Sequence, residues 1–232
     1  MDTSRSTILS ENFKEALADY HQWLEKNYPQ KTVLKLVGDR YALSGIQRTM
    51  LYRGIAVENQ DRKRTEKITD EEGVKRQIIH IDGYNVLITI GSYLNGNTVF
   101  ISTDGLLRDT TESHGTLFKA VIINKTLDLL IKYLQHLSIT STLFYLDSPV
   151  KGSDDIFRSV STRLHENNIS GKALLYESPD HYIKTASKGI IASSDTGIVD
   201  SSSLKIFDLS YHCLRHHFHP DFIDLRTLTY QK

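Results

Sequence analysis

The chain has 232 residues, 28 Lys+Arg against 28 Asp+Glu, one Cys and 39% hydrophobic residues. That length fits one large domain or a medium domain with a small partner, and the ordinary apolar and charged fractions exclude disorder, collagen-like repeats and a disulfide scaffold. Zero net charge removes any global basic excess that would draw nucleic acid, so phosphate binding has to come from a local patch or from metal ions.

Residues 8–57 read as helical. In ILSENFKEALADYHQWLEKNYP, Phe13, Ala16, Leu17, Tyr20 and Leu24 recur at helical spacing, Ser10 is a candidate N-cap, and Asn27 with Pro29 supplies the stop. A second short helix, Lys31 to Val37, ends at Gly38, and a third opens on the capping-box pattern Ser44-Gly45-Ile46-Gln47. Together these predict a small all-α domain over residues 1–57. Its Arg40, Arg48 and Arg53, with Lys31 and Lys35, form either the basic face of a helix-turn-helix or the supports of a core built on Tyr41, Leu43, Ile46, Met50 and Leu51. Residues 58–76 carry charges of both signs and almost no apolar side chain, which predicts a linker or an exposed helix with charge pairs. From Gln77 onward strand-like runs (77–82, 98–103, 142–147, 172–177, 189–194, 204–207) alternate with helical ones (85–94, 117–137, 154–167, 180–187, 195–201). That alternation predicts an α/β domain over residues 77–232, a mostly parallel Rossmann-like sheet with helices on both faces.

In an open α/β sheet, ligands bind at the carboxyl ends of the strands, where strand order reverses. Four predicted strand ends carry aspartate, namely Asp82, Asp104, Asp147 and Asp195, and Asp109 and Asp200 follow shortly after two of them. Any one of these is well explained as a turn former or a helix N-cap. Four on one edge would repel one another unless a divalent cation neutralised them, and oxygen-only ligands suit Mg²⁺ or Mn²⁺. Such a site polarises a phosphoryl oxygen and generates hydroxide from water, the chemistry of phosphodiester hydrolysis. Within HIDGYNVLITIGSYL, Gly83 permits a close turn after Asp82, and Asn85 is placed to hydrogen-bond that carboxylate or to cap the following helix. In the loop after Asp147, Lys151 and Ser153 are candidates to meet phosphate, with ordinary solvated-loop residues as the competing reading.

This segment resembles the opening motif of the NYN branch of PIN-like ribonucleases, in which a strand runs into Asp-Gly-x-Asn and a helix. TLFYLD resembles that branch's middle acidic strand, and IIASSDTGIVDSS its late strand, Ser-rich turn and paired aspartates. Over residues 77–210 the resemblance implies a PIN-like fold in which Asp82, Asp147 and Asp195 are metal ligands, Asp200 a further acid and Asn85 an orienting amide. Ser193 and Ser194 would shape the turn and contact phosphate. More widely, YPQKTVLKLVGDRYALSGIQRTMLYRGI, IDGYNVLIT and DGLLRDTTESHG resemble a prokaryotic family of unknown function that joins a small helical N-terminal domain to a PIN-like domain. Its signature, here Asp104 to Gly115, is matched by Asp104, Arg108, Asp109 and His114. The chain departs from the nuclease pattern at the usual second acid, since the helix after the first strands offers only Asp128 among apolar residues, which leaves Asp104 or Asp109 to replace it.

The function implied is a metal-dependent ribonuclease, with Asp82, Asn85, Asp104, Asp109, Asp147, Asp195 and Asp200 at the site and Arg108, His114 and Lys151 stabilising phosphate charge. RNA, or else DNA, is the expected partner, Mg²⁺ or Mn²⁺ the expected cofactor, and a homodimer fits the habit of PIN-like domains. Two alternatives stay open: a non-catalytic RNA- or protein-binding module on a degenerate PIN-like fold, and a small-substrate phosphoesterase. Near the end of the chain HCLRHHFHPD gathers His212, Cys213, His216, His217 and His219. Cys213 and His217 would share a helical face as a transition-metal pair, but the ligand set is incomplete, and a helix packed on the sheet is the default. A single cysteine excludes an internal disulfide, and with no apolar run near the ~20 residues of a membrane helix, a cytoplasmic protein without a membrane partner is expected.

Overall fold

The computed structural model describes residues 5–111 and 119–229. The first elements are α1 (Arg5–Ile8), α2 (Glu11–Glu25), α3 (Gln30–Arg40), α4 (Gly45–Gly54), α5 (Glu58–Thr65), β1 (Ile68–Thr69) and α6 (Glu71–Val74). Next come β2 (Ile78–Asp82), α7 (Gly83–Leu94), β3 (Val99–Ile101), β4 (Leu107–Asp109), α8 (Ala120–His136), β5 (Ser141–Asp147) and α9 (Ser153–Glu166). The last are β6 (Gly171–Tyr176), α10 (Pro179–Lys184), β7 (Ile190–Ala192), α11 (Thr196–Ser201), β8 (Lys205–Phe207), α12 (Leu209–Phe218), β9 (Ile223–Asp224) and α13 (Arg226–Thr229). They fall into two compact units.

The first unit comprises residues 1–66, 97–110 and 221–232. Here α2 begins where Ser10 Oγ accepts from the Phe13 N–H (3.3 Å) and buries Phe13, Ala16, Leu17, Tyr20 and Leu24, as their spacing predicts. The capping box of α4 is complete: Ser44 Oγ accepts from the Gln47 N–H (3.3 Å), and Gln47 Oε1 from the Ser44 N–H (3.0 Å). Helix α3 runs through Gly38 instead of ending there. A Cβ at Gly38 would sit 2.1 Å from Arg48 Nη1, so this glycine serves close approach of a side chain and not a helix stop. The unit is also not all-α, because β3 pairs antiparallel with β4 and parallel with β9. Phe100, Ile223 and Leu225 thereby join Phe13, Leu17, Met50 and Leu51 in one apolar core. The strand expected over 98–103 therefore belongs to this small sheet and not to the parallel one.

The second unit comprises residues 67–96 and 111–220, and its sheet has six parallel strands in the order β1-β8-β7-β2-β5-β6, flanked by helices. Residues 58–76, expected as a linker or an exposed helix, supply the largely exposed helix α5 and also β1 and α6, and β1 lies on the sheet edge beside β8. In α8, Ile123, Leu127, Leu130, Ile131 and Leu134 form the buried stripe of an amphipathic helix. Strand alternation separates two faces. One carries buried Ile79, Ile81, Phe144, Leu146 and Ala173, and the other His80, Asp82, Tyr145, Asp147 and Tyr176. The start of α7 lies on the first face, where Gly83 abuts Phe144 and Leu146, and α10 lies on the second, where Tyr182 covers Tyr176. From β2 the chain moves outward to β5 and β6, then returns past β2 to β7 and moves outward the other way to β8. Adjacent strands β2 and β7 thus lead in opposite directions, which makes their carboxyl ends the topological switch point.

Candidate active site

The second unit brings Asp82, Asn85, Ser193, Ser194 and Asp195 together at that switch point. Asp82 ends β2 and caps α7, its Oδ1 accepting from the Asn85 N–H (3.4 Å) while Ser193 Oγ donates to Oδ2 (2.7 Å). The Asn85 side chain does not reach that carboxylate. Its Oδ1 instead accepts from the N–H and Oγ of Ser194 (2.9 and 3.1 Å), pinning the turn after β7 to the first turn of α7. Asp195 caps α11 through the Ile198 N–H (3.0 Å) and donates its own N–H to Ser193 Oγ (3.1 Å). The two strand ends are therefore tied by a continuous set of hydrogen bonds.

Electrostatics adds two more acids. Burial pushes the Asp82 carboxyl up to about 7, and the charges of Asp195 and Asp180 act in the same direction against the Ser193 hydrogen bond. Asp147, at the end of β5, is also raised, first by burial and then by Asp180. Asp180, in the first turn of α10, thus acts on both Asp82 and Asp147. It escapes the strand-end reading because Glu177, Ser178 and Pro179 separate it from β6, so that it looks like a helix start alone. Lys184 is a second residue missed. Its Nζ pairs with Asp180 Oδ2 (3.3 Å), and it stands 3.6 Å from the point a Cβ on Gly197 would occupy, with Asp195 Oδ1 3.0 Å from that point. Alternating acids and one lysine at the end of a parallel sheet can hold a hard cation, a phosphate, or both together.

Other predicted site residues lie elsewhere. Asp104 and Asp109 belong to the first unit and are consumed by ion pairs, so they neither complete the row of strand-end acids nor replace the helix acid. Asp104 accepts from Arg108 (3.0 and 2.7 Å), Arg64 (3.3 Å), Ser102 Oγ (2.6 Å) and the Leu106 N–H (3.1 Å). Burial alone would raise its carboxyl, but the Arg108 charge and these donors hold it below the usual range. Arg108 is correspondingly buried and spent on Asp104 and Ser102, not on a phosphate. Buried Asp109 is paired with Arg53 (3.2 Å). Asp200 stands exposed on α11, and Lys151 stands exposed in the turn before α9. Ser153 is buried, its Oγ within reach of the Tyr84 hydroxyl and the Asp147 carbonyl. His114 lies outside the described residues.

In the helical segment, Arg48 bonds Asp39 and the Leu43 carbonyl, and Arg53 the Asp109 carboxyl and carbonyl, which favours supports over a basic face. On α12, Cys213 is fully buried with its thiol pushed up to about 12, and His217 Nε2 bonds the Leu129 carbonyl (3.0 Å), as fits a packed helix. Among the described residues no group of three or more His, Cys, Asp or Glu side chains is placed to hold a metal ion, and no helix is long and apolar enough to cross a membrane.

Residues 12–67 match a family described as a protein of unknown function (DUF434). A relative, Uncharacterized protein MJ0935 of Methanocaldococcus jannaschii, is 25% identical over 194 residues, covering 84% of this chain and 92% of that protein. No solved structure matches the chain. Residues 71–212 contain nearly the whole parallel sheet and all four clustered aspartates, and by their match to it the chain belongs to the family described as Domain of unknown function (DUF5616).

Proposed function

We propose that the chain is a metal-dependent ribonuclease of PIN-like type, acting at the switch point of its Rossmann-like sheet. The observation that carries this reading is the row of Asp82, Asp147 and Asp195 at the carboxyl ends of the adjacent strands β2, β5 and β7, with the charge of Asp180 on α10 raising both Asp82 and Asp147. Carboxylates packed this way are costly unless a cation offsets them. Their donors are all oxygen, which fits Mg²⁺ or Mn²⁺, and Mg²⁺ is commonly held by one or two carboxylates, with waters and substrate phosphate completing its shell. As the side chains stand, no three of these carboxylates enclose an ion, so a metal would take one or two of them, Asp82 with Asp147 or Asp195, and fill the rest of its shell with water and substrate phosphate; Asp104, Asp109 and Arg108 have no part in it.

When bound, such an ion supplies polarisation of a phosphoryl oxygen and a more acidic water. The chain's own residues do the positioning. Ser193 and the Asn85 N–H fix both oxygens of Asp82, the Asn85 amide fixes the turn that carries Asp195, and Lys184 offers a positive charge to a phosphate beside the acids. The test is cleavage of a labelled single-stranded RNA by purified chain in Mn²⁺, in Mg²⁺ and in EDTA. Asp82→Asn is expected to lower the metal-dependent rate on the order of a hundredfold or more, the loss of several kcal/mol of transition-state stabilisation. Cleavage that persists in the pure variant removes the mechanism. A wild type inert with both metals, yet binding RNA equally in EDTA, makes the chain a binding module.

A further inference from the structure

We propose that Tyr182 is the outer ring of a stacking platform that takes one unpaired nucleobase of a single-stranded RNA and delivers the adjoining phosphate to the acidic cluster. The proposal rests on the ribonuclease reading and names the form of its substrate. Four aromatic rings run outward across the face of the sheet that carries Asp82 and Asp147. His80 and Tyr145 lie 5.8 Å apart between centroids at 25°, Tyr145 and Tyr176 6.2 Å apart at 25°, and Tyr176 and Tyr182 3.9 Å apart at 19°.

The inner end of the row is fixed. His80 Nε2 bonds the Lys188 carbonyl (2.9 Å), which leaves Nδ1 to accept from the Tyr145 hydroxyl (2.9 Å). Tyr145 is only 6% exposed, whereas Tyr182 is 46% exposed. The row therefore starts in the core beside Asp82 and ends on a half-bare ring whose plane is set by the rings beneath it. Rigid aromatic faces of this kind bind bases of any identity, because every base has a π-face.

The position of Tyr182 says which ligand it faces. It stacks on Tyr176, which is the register partner of Asp147 on the neighbouring strand and shares its face of the sheet. A base on Tyr182 thus brings its phosphate to the side of the sheet edge that carries Asp147. A base inside a duplex has both faces covered, so the platform selects unpaired strands.

The experiment uses the full chain without divalent metal and a short oligoribonucleotide carrying 2-aminopurine, whose fluorescence is quenched on stacking. Wild type is expected to bind and quench, Tyr182→Phe to do the same, and Tyr182→Ala to bind roughly 5- to 150-fold more weakly, the range for one lost base stack, with quenching gone. The same sequence as a blunt duplex is expected to bind no better to wild type than to Tyr182→Ala. Equal affinity and quenching in Tyr182→Ala, equal use of Tyr182 by the duplex, or no binding of the single strand by wild type overturns the platform. Tyrosine-dependent quenching without cleavage in Mn²⁺ removes hydrolysis and keeps the platform; cleavage unchanged in Tyr182→Ala does the reverse.

Discussion

Two buried aspartates, Asp82 and Asp104, show how far residue type alone carries a functional reading. Both stand at the end of a predicted strand, yet the carboxyl of Asp82 is raised from 3.8 to about 7 and that of Asp104 is lowered. The consequences for stability have opposite sign. Between about pH 4 and about 7, folded Asp82 holds a proton that the unfolded chain has released, so its contribution falls as pH rises through that window. Folded Asp104 releases its proton more easily than the unfolded chain does. Its contribution is present above the ordinary carboxylate range and is lost as pH falls below it. Asp82→Asn is therefore expected to stabilise the metal-free protein at pH 8, by up to about 4 kcal/mol on the full shift, with the gain disappearing near pH 4. Asp104→Asn is expected to cost about 3–5 kcal/mol at pH 7, because Arg108 and Arg64 are left buried without their carboxylate. Urea midpoints at pH 4, 7 and 8 measure both, and two variants that shift in the same direction at pH 8 would contradict the assignment. Asp82 was legible because Gly83 and Asn85 accompany it. The burial of Asp104 was not, since its second partner, Arg64, lies 40 residues away in sequence and the pair with Arg108 alone does not tell a buried carboxylate from a surface one.

At the scale of elements, the turn from β2 into α7 explains why glycine follows the first acid. A Cβ on Gly83 would lie 2.5 Å from the Tyr145 carbonyl oxygen and 2.6 Å from the Phe144 ring, so the requirement is space against β5. The backbone there has no left-handed angle to relieve. Gly83→Ala is expected to destabilise by about 1–3 kcal/mol through overpacking, and to weaken any metal-dependent activity further by moving Asp82. A calorimetric Tm within error of wild type would show that α7 can shift freely. Long elements with a clear period were readable: α2 and α4 open at their expected caps, Ser10 and Ser44, and α8 and β5 fall close to the expected 117–137 and 142–147. β1 and β9 have only two residues each, too few for alternation to register, and β4, Leu-Arg-Asp, lacks the apolar run that marked the equally short β3, β7 and β8. Their absence from the sequence reading is what made β3 look like part of the parallel sheet and put Asp104 and Asp109 in the wrong row of acids.

Over the whole molecule, chain order and spatial units do not coincide. The segment matching one family ends at residue 67 and the next begins at 71, near the change of unit at 66–67, but the second match also spans 97–110, which belongs to the first unit. The helices of residues 5–65 therefore complete their core only with side chains encoded far downstream, Phe100 from β3 and Ile223 with Leu225 from the end of the chain. Gly54 shows how close that fit is, since a Cβ there would lie 2.5 Å from the Phe100 ring and 2.6 Å from Leu225. Removing a fully buried aromatic from such a core typically costs about 3–5 kcal/mol, a large part of the stability of a small unit. A fragment ending at residue 66 is accordingly expected to keep some helical circular dichroism but to melt without a cooperative transition and to bind a hydrophobic dye. The full chain should melt cooperatively and exclude the dye, and deletion of residues 221–232 should move it toward the behaviour of the fragment. Cooperative melting of the fragment alone would mean that its helices form a self-sufficient core and that the small sheet is an addition to it.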